Sequence, residues 1–287
     1  MSSLPTATTA AFVRIDGRPV HVRREGRGPV CVLSGGLGSS WFDWDPVLPL
    51  LAPYRTVVRF DRPGYGLSAP SPTAPTLAGE AERIRRVLDA LGLPGPCTVV
   101  GHSLAGFYVE AFARLYPDRT AGLVLVDGST EPAPRPRPAP ALRDRAARTV
   151  AASATALGVP YLLGPTARRL TARVTTVRRK DLAPDALVRR CYRTGRVLGA
   201  MLRENGRYLD LAADLAEVRR AAPLPDVPAL VLAADRGRGS RHTRHWLARQ
   251  SDLAATLGAE FRTAAPSGHL LMYDRPDAVA AAVLDAG

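Results

Sequence analysis

The stretch Val99-Val100-Gly101-His102-Ser103-Leu104-Ala105-Gly106 decides how this chain is read. It passes from an apolar, β-branched run straight into a helical pattern, with a serine at the junction. A serine on so sharp a strand-to-helix turn has its hydroxyl thrust clear of the sheet. Residues two before and two after it must be small, because the turn brings strand and helix backbones together. Gly101 and Ala105 meet that requirement, with alanine standing where the G-x-S-x-G pattern has its second glycine. The start of the following helix offers a partial positive charge and free N–H groups, that of Leu104 among them, near a developing oxyanion.

Two further segments supply complementary chemistry. Leu33-Ser34-Gly35-Gly36-Leu37-Gly38-Ser39-Ser40 directly follows the apolar run Val30–Leu33. A glycine-rich loop in that place lets backbone N–H groups turn toward an oxyanion from the side opposite Leu104. It is neither a G-x-x-x-x-G-K-[ST] phosphate loop nor a dinucleotide-binding G-x-G-x-x-G. Ser267-Gly268-His269 follows the last strand-like segment. A serine hydroxyl is a weak nucleophile near pH 7 and needs a base to take its proton, a task that suits imidazole. His102 is expected to point to the other side of the turn. His21, His242 and His245 sit in a strand or on an Arg-rich helix and are expected to be structural or exposed.

Short apolar runs alternate with helical patterns along most of the chain. Phe12–Ile15 and Val20–Arg23 read as a hairpin with Asp16-Gly17 at its turn. Val30–Leu33, Thr56–Phe60, Thr98–Val100, Leu123–Val126 and Ala229–Ala233 resemble parallel strands covered on both faces, with Ala259–Thr263 a weaker last strand. Helical patterns span Leu77–Leu91, Ser103–Tyr116, Arg241–Leu257 and Pro276–Leu284. The alternation predicts an α/β fold with a mainly parallel sheet. It stops at residues 129–225, which open on a proline-alternating, extended arm and continue as Arg-rich helices. The expected organisation is a core of 1–128 and 226–287 interrupted by a helical cap of 129–225.

The 287 residues are 46% hydrophobic and 23% charged, the balance of an ordinary globular protein rather than a disordered one. Met1 to Phe12 lacks the basic start and apolar stretch of a secretion signal, and no run approaches the length of a membrane span. Cys31 and Cys97 lie in or beside apolar runs and read as core residues, which favours a reducing, cytoplasmic setting. The net charge of +13 is concentrated in residues 129–225, which hold 19 basic and 8 acidic side chains. This excess is either compositional bias or an electropositive surface for an anionic ligand.

These features together resemble the α/β-hydrolase superfamily: strand–Ser103–helix, a Gly-rich loop after an early strand, a mid-chain cap and a late Gly-His. The resemblance runs from about Phe12 to the C-terminus. Phe60-Asp-Arg-Pro-Gly-Tyr-Gly-Leu-Ser68 is similar to the turn after the fourth strand in these proteins, and Asp61 and Arg62 are expected to hold that loop. The family order Ser, acid, His leaves two candidates for the acid. Asp235 follows the strand where most members carry it, and Asp127 ends the preceding strand, as in haloalkane dehalogenases. Register favours Asp127. The loop departs from the His-Gly that many members carry, so Leu37 is the first choice of second oxyanion donor and Gly36 the next.

The resemblance implies a serine hydrolase cleaving a carboxylic ester, thioester or lactone through Ser103, His269 and an Asp, with no metal or organic cofactor. The rivals are a non-hydrolytic enzyme of the same fold (acyl transfer, C–C cleavage or cofactor-free peroxidation) and a ligand-binding protein without catalysis. The expected partner is a small acyl substrate, with an anionic or carrier-bound one as the narrower form. No nucleic-acid partner is expected, since aromatics are only 6% of the chain and leave few stacking platforms, and no membrane partner, since no run is long enough to span one.

Overall fold

This computed structural model describes residues 9–237 and 239–287; residues 1–8, most of the stretch read for a secretion signal, lie outside the described residues. Eight strands form one sheet: β1 (Thr9–Ile15), β2 (Arg18–Gly26), β3 (Val30–Ser34), β4 (Thr56–Phe60), β5 (Cys97–His102), β6 (Thr120–Val126), β7 (Ala229–Ala234) and β8 (Glu260–Ala264). Their order is β1-β2-β4-β3-β5-β6-β7-β8. β2 pairs antiparallel with β1 and β4, and every other pairing is parallel. Asp16 (φ 52°) and Gly17 (φ 71°) both take the left-handed conformation that a two-residue hairpin loop requires.

The helices are α1 (Leu48–Leu51), α2 (Leu77–Ala90), α3 (Ala105–Leu115), α4 (Pro140–Ala156), α5 (Val159–Thr175), α6 (Asp185–Tyr192), α7 (Gly195–Ala221), α8 (Arg241–Leu257), α9 (Leu271–Asp274) and α10 (Pro276–Asp285). Those between strands cover both faces of the sheet. On β5, Val99 packs into the core beneath α2 and α3, while Val100 packs into the core beneath α1 and α10. Side chains alternate across a strand, so a central parallel strand must be apolar throughout. In α2, the Thr76 hydroxyl caps the Gly79 N–H, and Leu77, Ala81, Ile84 and Leu88 form the buried stripe.

Four helices, α4 to α7, are inserted between β6 and β7. The 27-residue α7 packs against α3, and its Leu211, Ala212 and Leu215 join the sheet's main core. A small third cluster ties Trp41, Phe42 and Tyr65 to Val188, Cys191, Tyr192 and Val197 of the inserted segment. Trp44 belongs to the core under α10. All three cysteines are buried as free thiols, and burial pushes Cys31 and Cys97 up to about 12. Among the described residues no helix is long and apolar enough to cross a membrane.

Candidate active site

The turn between β5 and α3 holds Ser103 at φ 54°, in the left-handed region. A Cβ on Gly101 would fall 2.6 Å from the Ala105 carbonyl oxygen, so only glycine fits there. The Ser103 N–H donates to the Val126 carbonyl at 3.1 Å, and its carbonyl accepts from the Gly106 and Ser129 N–H groups at 2.9 and 3.0 Å. The backbone polar groups are thereby satisfied, and the half-buried hydroxyl is left for chemistry.

That hydroxyl lies 2.9 Å from His269 Nε2. On the other side of the ring, His269 Nδ1 is 2.6 Å from Asp127 Oδ2. Asp127 directly follows β6 at φ 47° and is almost fully buried. Its Oδ1 accepts from Trp246 Nε1–H at 2.7 Å and from the Ala234 N–H at 2.9 Å. A carboxylate held by two outside donors fixes the ring: Nδ1–H faces Asp127, which leaves the Nε2 lone pair for the Ser103 proton. Asp235 is not part of this chain of contacts. Its Oδ1 accepts from the Gly237 N–H at 2.8 Å, and its carbonyl accepts from the Ser267 N–H at 2.7 Å. It therefore shapes the loop that leads to His269.

His102 serves a role the sequence did not signal. Its ring packs 4.7 Å from that of His269, and its Nε2–H donates to the His269 carbonyl at 2.8 Å. Burial holds the His102 pKa well below its usual value, so the ring is neutral and has one N–H to give. The Gly268 N–H donates to Asp274 at 2.8 Å, which fixes the same loop from below. Trp246 of α8 was likewise invisible as a partner of Asp127, since the indole and the carboxylate lie 119 residues apart in the chain.

The glycine loop reaches the serine directly. A Cβ on Gly36 would lie 2.8 Å from Ser103 Cβ and 3.0 Å from His102 Nδ1. The Gly36 carbonyl accepts from Arg62 Nη2 at 2.9 Å and from the Ser39 N–H at 3.2 Å, while Arg62 Nη1 bonds the Gly35 carbonyl. In a trans peptide the C=O and N–H point opposite ways, so the Leu37 N–H faces away from Arg62. Neither Leu37 nor Leu104 uses its N–H in a backbone bond among the described residues. Arg62 is itself held by a bidentate pair with Glu204 of α7, at 2.9 Å through both Nε and Nη2. Tyr65 and Tyr108 donate to the same carboxylate at 2.7 and 2.9 Å. Asp61 accepts from the Trp41 and Leu67 N–H groups, each at 3.0 Å, and pairs with His21 at 2.9 Å, so it holds its loop as expected, whereas the Arg62 side chain bonds the glycine loop and Glu204 instead.

Beside His269 lies a cavity of about 370 Å³, lined by Asp127, Thr175, Arg236, His242 and Trp246. His245 lies outside that lining. Among the described residues no group of three or more His, Cys, Asp or Glu stands where it could hold a metal ion. Trp41, Phe42 and Trp44 are buried in the core.

Comparison with known proteins agrees with this architecture. A Caulobacter (strain K31) protein named "Putative carbamate hydrolase RutD" is 40% identical over 104 residues. That match covers 36% of this chain and 38% of the relative, so it concerns a segment of each. Among solved structures, Cfl2 of Burkholderia cenocepacia superimposes with a TM-score of 0.75 at 21% identity, over 96% of this chain and 94% of that one. The enol-lactonase of Burkholderia xenovorans LB400 gives 0.65 at 23% identity, over 96% and 98%. Such identities speak for a shared fold. A family model described as the alpha/beta hydrolase family matches residues 31–282, which take in β3 to β8 (all but Val30) and all of the inserted helices, and this chain belongs to that family.

Proposed function

We propose that this protein is a serine hydrolase that cleaves an acyl substrate, a carboxylic ester, thioester or lactone, through Ser103, His269 and Asp127. The observation that carries the proposal is the continuous relay from Ser103 Oγ to His269 Nε2 (2.9 Å) and from His269 Nδ1 to Asp127 (2.6 Å). His269 takes the Ser103 proton as the oxygen attacks the substrate carbonyl. The N–H groups of Leu104 and Leu37 receive the oxyanion, with Gly36 giving the backbone its room. The protonated His269 passes its proton to the leaving group, and the acyl-enzyme forms. Water, deprotonated by His269, then attacks the ester and restores Ser103. Residues 129–225 act as a cap over a core made of 1–128 and 226–287.

The Caulobacter relative's name adds carbamates to the candidate acyl groups, since the same attack applies to their carbonyl. With its thiols free and buried, the protein suits a reducing compartment, and we place it in the cytoplasm. The decisive experiment is labelling by a fluorophosphonate, read as intact mass. A single adduct on the wild type that disappears in Ser103→Ala is expected. No adduct on the folded wild type would reject an activated serine. Product analysis with added alcohol or amine then tests the chemistry: transfer in excess over hydrolysis would make the enzyme an acyltransferase.

A further inference from the structure

Helix α5 is turned inside out. Its protein-facing side carries Pro160, Arg168 and Ala172, all buried. Its solvent side carries Leu162, Leu163, Leu170 and Val174, each more than half exposed, at 68, 59, 53 and 64%. At 100° per residue these four and Val159 fall within an arc of about 120°, one continuous stripe along the helix. Leu157, 77% exposed at the corner with α4, extends it. A single exposed leucine needs no explanation, but a contiguous apolar stripe implies something that covers it.

The charge beside the stripe selects what that is. From Arg145 to Lys180 the sequence holds eight basic residues and no acidic one. Arg168 and Arg169 are spent on ion pairs with Asp43, Asp181 and Asp185. Arg173, Arg179 and Lys180 are exposed at the C-terminal end of the stripe and have no ion-pair partner among the described residues. A second copy of the chain would set like charges against each other. A nucleic acid would satisfy the cations and leave the leucines in water. An anionic lipid surface satisfies both, with leucines at the acyl boundary and cations among the phosphates.

We propose that α5 docks this protein on an anionic lipid surface. A peripheral contact of this kind needs no spanning segment. The sequence's lack of one, the ground for expecting no membrane partner, therefore does not bear on it. The stripe also ends beside the candidate catalytic histidine. The Thr175 carbonyl, the last of α5, accepts from the Leu270 N–H at 3.3 Å, and Arg236 donates to the Val174 carbonyl at 2.8 Å. Thr175, Arg236 and His269 line the same cavity.

The test is vesicle co-sedimentation of the full chain, which needs no substrate and so stands apart from the hydrolase proposal. Vesicles of phosphatidylcholine alone are compared with an equal mixture of phosphatidylcholine and phosphatidylglycerol, at 0.1 M salt in both cases (roughly a 10 Å screening length). Two triple variants are used: Leu162→Ser/Leu163→Ser/Leu170→Ser, and Arg173→Gln/Arg179→Gln/Lys180→Gln. All six side chains are at the surface, and a wild-type melting temperature establishes that each variant is folded. The wild type is expected to bind the anionic vesicles and to bind neutral ones at least about tenfold more weakly. The charge variant should lose about fivefold in affinity per cation, and the leucine variant should lose most binding. Failure of the wild type to bind, or equal binding to both vesicles, overturns the proposal. So does a leucine variant that binds like the wild type. A dimer seen by sedimentation velocity and abolished by the leucine substitutions would assign the stripe to a second copy instead.

Discussion

Arg62 donates from Nη2 to the Gly36 carbonyl at 2.9 Å, and this bond sets the peptide whose N–H belongs to Leu37. Because Glu204 on α7 grips the same guanidinium, the inserted helices and the glycine loop share one buried ion pair. Arg62→Lys keeps a cation for Glu204 but loses the planar fork that reaches Gly35 and Gly36. A lost oxyanion donor costs about 10²–10³ in kcat, so a loosened one should cost roughly tenfold or more. Steady-state kinetics on a p-nitrophenyl ester are expected to give a lowered kcat with little change in KM. A raised KM with intact kcat would place Arg62 outside oxyanion positioning.

Asp127→Asn and Asp235→Asn should separate cleanly. An asparagine at 127 can keep the Trp246 and Ala234 bonds through its oxygen, which turns its NH2 toward His269 Nδ1. The ring must then carry its proton on Nε2 and cannot accept from Ser103. A loss of about 10³–10⁴ in fluorophosphonate labelling rate is expected for Asp127→Asn, against less than about tenfold for Asp235→Asn. The reverse ranking would transfer the acid's role to Asp235.

His102 makes stability depend on pH. Burial holds its folded-state pKa well below 6.5, whereas the unfolded chain protonates it normally. Between those two values the unfolded state carries the extra proton, so stability is full above pH 6.5 and falls as the pH drops below it. The limiting slope for one proton is about 1.4 kcal/mol per pH unit. Urea denaturation of wild type and His102→Asn should show the stability gap narrowing from neutral to acidic pH, as the wild type loses what the variant never had. Parallel pH curves would contradict this.

Arg168 pins α5 to the core through Asp43, and Tyr273 donates to the same carboxylate at 2.8 Å. Burial already pushes the Asp43 pKa up, with Arg168 opposing the shift. Arg168→Ala would leave that carboxylate buried beside a vacated cation site, a loss of about 3–5 kcal/mol in urea denaturation. Adding Asp43→Asn should restore part of it. A deficit below about 1 kcal/mol, or no recovery in the double variant, would mean that the pair contributes little.

Much of the fold was legible because its signals are local. The Asp16-Gly17 turn, the small residues flanking Ser103 and the stripe of α2 each follow from conformational rules that act within a few residues. They predict the hairpin, the turn and a buried helix face, all of which the structure contains. The last strand was read one residue early, at Ala259–Thr263 rather than Glu260–Ala264. Its exposed edge position gives it weak apolar alternation to read.

The sequence alone determined the strand–serine–helix turn, the glycine loop, the late histidine and the parallel α/β order, since each is written in neighbouring residues. Tertiary structure decided the relations between distant ones. Asp127 and Asp235 both follow apolar strand runs, and only the packing of α8 and the pairing of β6 with β7 set the first beside His269 and turn the second into its own loop. Glu204 reaches Arg62 across 142 residues. The period of α5 marks it as amphipathic, but its inward face is fixed by Arg168 meeting Asp43 from 125 residues away. Periodicity defines the faces of a helix; which face is buried depends on the partner that long-range folding supplies.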